Sequence, residues 1–131
     1  MSKNVLITGG CGFIGRHVAR ELLEHGCSVR VLDSIIEQVH GGAVPMRQAE
    51  IEYVFADIRD SEAVRTAMEG ITDVIHLAAE VGVGQSQYEI ARYVGANDLG
   101  TAVLLEAMID APVETIAVAS SMSVYGEGRY V

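Results

Sequence analysis

Thr8-Gly9-Gly10-Cys11-Gly12-Phe13-Ile14-Gly15 places Gly10, Gly12 and Gly15 at G-x-G-x-x-G spacing. Glycine at the first two of these positions lets the main chain come close to an anion, and at the third lets a helix pack tightly on a strand. The N–H groups and positive dipole end of the helix that begins near Phe13 would then hold a diphosphate without any basic side chain. Asp33 follows Gly15 by 18 residues, the interval at which a carboxylate accepts hydrogen bonds from the hydroxyls of an adenosine ribose. A 2′-phosphate at that point would meet negative charge, and Ser34-Ile35-Ile36 offers no Arg or Lys to offset it. The spacing therefore predicts dinucleotide binding, with NAD as the cofactor in preference to NADP. Gly9, Phe13, Ile14 and Ser34 adjoin these positions, and Asp57-Ile58, at the end of a later strand, is placed to meet the adenine.

Other reactive residue types fall into no chemical set. His76 lies inside an apolar run and reads as a neutral, hydrogen-bonded core histidine rather than a general base. His17, His25 and His40 lack the spacing of a metal or catalytic cluster, and Cys11 and Cys27 lack that of metal ligands or a disulfide framework, so no metal is expected.

The elements that must position the glycine loop follow from periodicity. Val5-Leu6-Ile7 reads as a strand, and Phe13, Ile14, Val18, Leu22 and Leu23 as the apolar face of a helix stopped at His25-Gly26. Val29 to Asp33 and Tyr53 to Asp57 are strands closed by an acid, separated by a short helical piece near Ile35 to Val39 and an irregular connection through Gly42 and Pro45. Asp60 or Ser61 caps a helix ended by Gly70, Val74 to Ala78 is the fourth strand, and a helix from about Tyr88 to Asp110 leads past Pro112 to a fifth strand, Thr115 to Ser120. Near-continuous apolar strands alternating with helices specify an α/β doubly wound parallel sheet of the Rossmann type, in the order 3-2-1-4-5.

The chain has 131 residues, half of them apolar, which suffices for one domain. A net charge of -9 opposes phosphate backbones and anionic lipid, so neither nucleic acid nor a membrane surface is an expected partner. No apolar run approaches the roughly 20 residues of a membrane span, and Val5-Leu6-Ile7 meets Gly9-Gly10 too early for a secretory leader, so the expected location is cytoplasmic.

Five ordered segments resemble the extended short-chain dehydrogenase/reductase family, in particular NAD-dependent nucleotide-sugar epimerases and dehydratases. They are the Thr8–Gly15 loop, Asp57-Ile58-Arg59-Asp60, His76-Leu77-Ala78-Ala79, Asn97-Asp98-Leu99-Gly100-Thr101 and Ser120-Ser121-Met122-Ser123-Val124-Tyr125-Gly126. The resemblance implies that Leu77, Ala78 and Ala79 line the cofactor, that Asn97 stands behind its nicotinamide side, and that Val83-Gly84-Gln85-Ser86 faces the sugar through Gly84 and Ser86. It implies that Ser121 polarises the sugar hydroxyl or keto oxygen as the catalytic residue present. Met122 and Ser123 stand where sugar dehydratases carry Asp-Glu, which favours an epimerase over a dehydratase or reductase.

The family's acid/base pair, a Tyr followed four residues later by Lys, is missing, because the sequence's single lysine is Lys3. The resemblance thus implies the NAD-binding portion, residues 1–131, of a longer epimerase, cut after the fifth strand and inactive alone, with a nucleotide sugar as the parent's substrate. It also implies a homodimer through the helix after the fourth strand. A non-catalytic NAD-binding or NAD-sensing module is the alternative.

Overall fold

The computed structural model describes residues 3–41, 47–126 and 128–129. Gly42, Pro45 and Met46 of the connection after α2 lie outside them. Five parallel strands, β1 (Asn4–Thr8), β2 (Ser28–Asp33), β3 (Ile51–Phe55), β4 (Asp73–His76) and β5 (Thr115–Val118), form one sheet in the order β3-β2-β1-β4-β5. Reversal of strand order on either side of β1 leaves a crevice at the carboxyl ends of β1 and β4, the place where such sheets bind ligands.

Alternation along β1 divides the core. Val5 and Ile7 join Ala19, Val29, Val31 and Ile51 under helix α1 (Phe13–Glu24). Leu6 points the other way, with Leu32, Val64, Val74 and Leu104, under α3 (Ser61–Met68) and α6 (Gly100–Ile109). Both faces of the central strands are therefore dry, which is why they read as unbroken apolar runs. Asp60 caps α3, its Oδ1 accepting from the N–H groups of Glu62 and Ala63 at 3.1 Å each.

Three sequence expectations shift. The short helix α2 occupies Glu37–His40 and ends at Gly41 in the left-handed region, φ 59°, so it begins two residues later than its apolar residues suggest. The Val83–Ser86 segment is a single helical turn, α4, rather than a loop. The long helix is three pieces, α5 (Ile90–Tyr93), a π-helical stretch (Val94–Leu99) and α6, and two of its glycines lie close against the loop after β3. A Cβ at Gly100 would lie 2.4 Å from Ile58 Cγ2, and one at Gly95 3.2 Å from Arg59 Nη1.

Phe13 and Ile14 also depart from the core assignment: they are 73% and 61% exposed, and α1 buries Gly15 and Ala19 instead. After β5 the chain makes a 3-10 turn over Met122–Tyr125.

Candidate functional site

The turn from β1 into α1 is fixed by steric exclusion. Gly9 has φ +70°, and a Cβ there would sit 2.8 Å from the Ala78 amide nitrogen. A Cβ at Gly15 would fall 2.5 Å from Gly10 Cα and Gly9 O, and one at Gly10 2.5 Å from Val31 Cγ2. Gly12 differs, since its nearest obstacle is Gly9 O at 3.3 Å, which leaves its missing side chain as open approach rather than packing. Gly12 is the N-cap of α1; no side chain caps that helix and its first turn holds no acid, so its leading N–H groups and dipole are available to an anion.

Asp33 ties this turn to β2. It is buried, with Oδ2 accepting from Cys11 N–H at 3.0 Å and Oδ1 from Ile35 N–H at 2.9 Å, while His40 Nε2 lies 3.5 Å from Oδ1. Burial, with the Asp33 carboxylate second, pushes the Cys11 thiol up to about 12, so it stays protonated and unreactive.

Around the loop runs a cleft of about 1090 Å³. It takes in Gly9, Gly12, Phe13, Ile14 and Gly15 from the turn, Asp33 at the end of β2 and Ser34 after it, Asp57 and Ile58 from the loop after β3, Leu77, Ala78 and Ala79 after β4, Ser86 from α4, Asn97 from the π stretch and Ser121 after β5. Gly10 and Gly84 are not on its wall: Gly10 packs beneath it on Val31, and Gly84 stands exposed in α4.

Several of these residues already have partners. Asn97 clamps the chain after β4, its Oδ1 accepting from Glu80 N–H at 2.8 Å and its Nδ2 donating to Glu80 C=O at 3.1 Å. Asp57 is gripped by Arg59, whose Nε donates to Oδ1 at 2.8 Å and whose Nη2 donates to Oδ2, and this pairing holds the carboxyl below its ordinary range. Ser86 donates to Val83 C=O at 2.7 Å. Ser121 Oγ accepts from Ser123 N–H at 3.1 Å, capping the 3-10 turn, and its own hydroxyl proton remains for a ligand.

His76 is the core histidine that the sequence suggests. It is 4% exposed, between Thr8 and Thr101, and burial lowers its pKa.

Sequence reasoning misses the residues that arrive from the 34–52 segment and from α5. Arg92 Nη2 donates both to Glu80 Oε2 at 2.8 Å and to Gln38 Oε1 at 3.0 Å, joining α2 to the chain after β4 across the crevice. Arg47 stacks on the Phe55 ring, 4.5 Å from its centroid. Neither stands at a fixed distance from the glycine loop, so no spacing announces them. Among the described residues there is no cluster of His, Cys, Asp and Glu that could hold a metal, and no helix long and apolar enough to cross a membrane.

A dinucleotide fits this arrangement. The open side of Gly12 and the uncapped start of α1 suit the diphosphate, and the buried Asp33 carboxylate at the end of β2 suits a ribose diol.

Comparison with known proteins agrees. The profile of the NAD dependent epimerase/dehydratase family matches residues 5–130. A dTDP-L-rhamnose 4-epimerase from Burkholderia thailandensis is 38% identical over 134 residues, covering 98% of this chain and 37% of its own length. A UDP-glucose 4-epimerase from Bos taurus is 34% identical, covering the whole chain and 41% of its own length. Among solved structures, a UDP-glucose 4-epimerase from Thermotoga maritima with UDP-glucose superposes with a TM-score of 0.84 at 34% identity, over 98% of this chain and 41% of that one. One from Brucella ovis in complex with NAD gives 0.82 at 31%, over 99% of this chain and 39% of that one. The chain thus spans about two fifths of these relatives, and it belongs to the NAD dependent epimerase/dehydratase family.

Proposed function

We propose that this chain is the NAD-holding part of a nucleotide-sugar epimerase. The observation that supports the reading is that one cleft runs unbroken from the glycine turn, past the ends of β2 and β4, to Ser121. In this reading the Gly9–Gly15 turn and the start of α1 hold the diphosphate, Asp33 and Ser34 the adenosine ribose, and Asp57-Ile58 the adenine. Leu77, Ala78 and Ala79 line the nicotinamide half, and Asn97 keeps that wall in place through the Glu80 main chain.

Bound NAD would supply reversible hydride transfer at a sugar carbon, the chemistry by which an epimerase inverts that centre. The chain's own contributions are positional. Ser121 donates its hydroxyl proton to the sugar oxygen while its own oxygen accepts from Ser123 N–H. Ser86, on the cleft wall, borders the sugar. The substrate is a nucleotide sugar, as in the 4-epimerase relatives, and the setting is the cytoplasm.

General acid/base catalysis by a Tyr-Lys pair has no counterpart here, since Lys3 is the sole lysine and lies before β1, so residues 1–131 give no turnover unaided. The test is calorimetric titration of the chain with NAD, together with turnover of UDP-sugars by the parent protein carrying Ser121→Ala. Micromolar NAD binding and a kcat loss of about 10²-fold or more support the reading. No NAD binding, or full activity of the variant, overturns it.

A further inference from the structure

A bridge of polar side chains crosses the cleft on its solvent side. His76 lies buried at the floor, and the walls above it carry Val39 and His40 from α2 on one side and Val83, Ser86 and Tyr93 from α4 and α5 on the other. Gln38, Gln85 and Arg92 belong to the same three helical turns but lie off the wall, and their side chains meet one another instead. Gln38 Nε2 donates to Gln85 Oε1 at 2.9 Å, and Gln85 Nε2 donates back to Gln38 Oε1 at 3.4 Å. Arg92 Nη2 donates to the same Gln38 oxygen at 3.0 Å, so one exposed amide on α2 holds both α4 and α5.

The two ends of the bridge are held unequally. Arg92 also donates to Glu80 Oε2 at 2.8 Å and to Glu89 Oε2 at 2.7 Å, and the hydroxyl of the buried Tyr93 donates to Val81 C=O at 2.9 Å. That end is fixed. On the other side α2 is a single turn of four residues with no side-chain N-cap, exposed at Glu37, Gln38 and Val39, and tied inward through the His40 imidazole, 3.5 Å from Asp33 Oδ1. Ile35 at φ +51° and Gly41 at φ +59° bracket it. A β-branched residue keeps a left-handed angle only under constraint, and a short element with so little buried surface opens before the rest of the fold.

We propose that this bridge is a gate on the cleft, with α2 the part that moves: Gln38 has to part from Arg92 and Gln85 for a dinucleotide to pass in either direction. The bonds join protein to protein and do not touch the ligand, so they add a barrier without adding affinity. Entry and exit are slowed alike. The gate rests on reading the cleft as the dinucleotide site.

Stopped-flow fluorescence of the nicotinamide follows NADH binding to the 131-residue chain, and its release when chased with excess NAD, for the unaltered chain, Gln38→Ala, Gln85→Ala and the double variant. Gln38 is exposed and Arg92 is left in place, so Glu80 and Glu89 keep their partner and the fold is not threatened. Gln38→Ala should raise both the association and the dissociation rate constants by about threefold to tenfold, with Kd moved by less than about twofold. Gln85→Ala should give a smaller rise in both, and the double variant should match Gln38→Ala, because the second glutamine acts only through the first. Rates that do not rise, a dissociation rate that rises alone with a matching loss of affinity, or a double variant in which the two effects multiply overturns the gate. Failure of the unaltered chain to bind NADH overturns the reading of the cleft itself, and the gate with it.

Discussion

Thr8 Oγ1 lies 2.6 Å from His76 Nδ1, joining neighbouring strands at the floor of the crevice. The hydroxyl oxygen accepts from Leu77 N–H at 3.2 Å and Ala78 N–H at 3.1 Å, so its own proton goes to the imidazole. Nε2 then carries the ring proton and donates to Thr101 Oγ1 at 2.9 Å, and Thr101 donates in turn to Asn97 C=O. This chain of bonds fixes a neutral histidine in one tautomer and connects β1, β4 and the π stretch, and every buried side-chain polar atom among the described residues is satisfied.

Removing one link leaves the rest stranded. Thr8→Val keeps the shape of the side chain but orphans Nδ1 and Ala78 N–H, while Leu77 N–H keeps its 3.0 Å bond to Thr8 C=O, and should cost about 1–3 kcal/mol in urea unfolding. A loss within error of zero would show that the network is not holding the floor.

The same histidine makes stability depend on pH. Burial holds its folded pKa below the ordinary imidazole value of 6.5, so the unfolded chain binds the extra proton first. Its contribution is complete above that value and is lost as pH falls from it toward the folded pKa. Unfolding free energy should therefore decline on acidification from pH 7 into the range below 6, and His76→Gln should flatten that part of the curve. An identical slope in the variant would assign the dependence to other groups.

The glycines of the turn should separate folding from binding. Gly15→Ala puts a Cβ 2.5 Å from Gly10 Cα and should lower stability by about 1–3 kcal/mol. Gly12→Val meets little protein and should leave the melting transition nearly unchanged while abolishing NAD binding, because the branched carbon fills the diphosphate approach. Circular dichroism melts and NAD titration of both variants decide it, and normal NAD binding by folded Gly12→Val would remove that approach from the site.

Asp33→Ala carries two effects that one experiment resolves. It deletes the acceptor for the ribose diol and also the partner of Cys11 N–H and Ile35 N–H. NAD affinity should fall by about tenfold or more, with NADP weakened less, so that the preference narrows or reverses. Retention of the full NAD preference would take Asp33 out of cofactor selection.

How much of this was legible follows from which constraints are local. The glycine turn, the Asp60 cap and the strand order rest on spacing and on apolar runs within single segments, and each appears where the sequence indicates. The π stretch was hidden, because no residue type within it marks the change, and the Ile58 side chain that leaves no room for a Cβ at Gly100 is more than 40 residues away. Arg47 was hidden for the same reason, since only the return of β3 alongside β2 brings it to Ser34. Phe13 and Ile14 follow a helical apolar pattern and yet face the cleft, which periodicity alone does not distinguish from a core face.

Self-association is expected from the surface of the last helix. Val94, Leu99, Leu105 and Ile109 are 49%, 54%, 48% and 79% exposed along the π stretch and α6, and β5 is a sheet edge whose Val118 is 57% exposed. Apolar faces and unpaired strand edges of this kind pair with a second copy. Light scattering should give a dimer mass at high micromolar concentration, and Leu105→Glu with Ile109→Lys should return it to a monomer without loss of secondary structure. A monomer from the unaltered chain at that concentration would refute the helix-mediated dimer. Turnover is checked on the same sample. With no Tyr-Lys pair in 131 residues, proton transfer assistance worth about 10²- to 10⁴-fold is missing, and Ser121, held as the cap of a 3-10 turn, does not replace it. Inversion of UDP-sugars followed by NMR should therefore remain at background even with NAD in excess, and measurable epimerisation by this chain would overturn the assignment of acid/base chemistry to residues outside it.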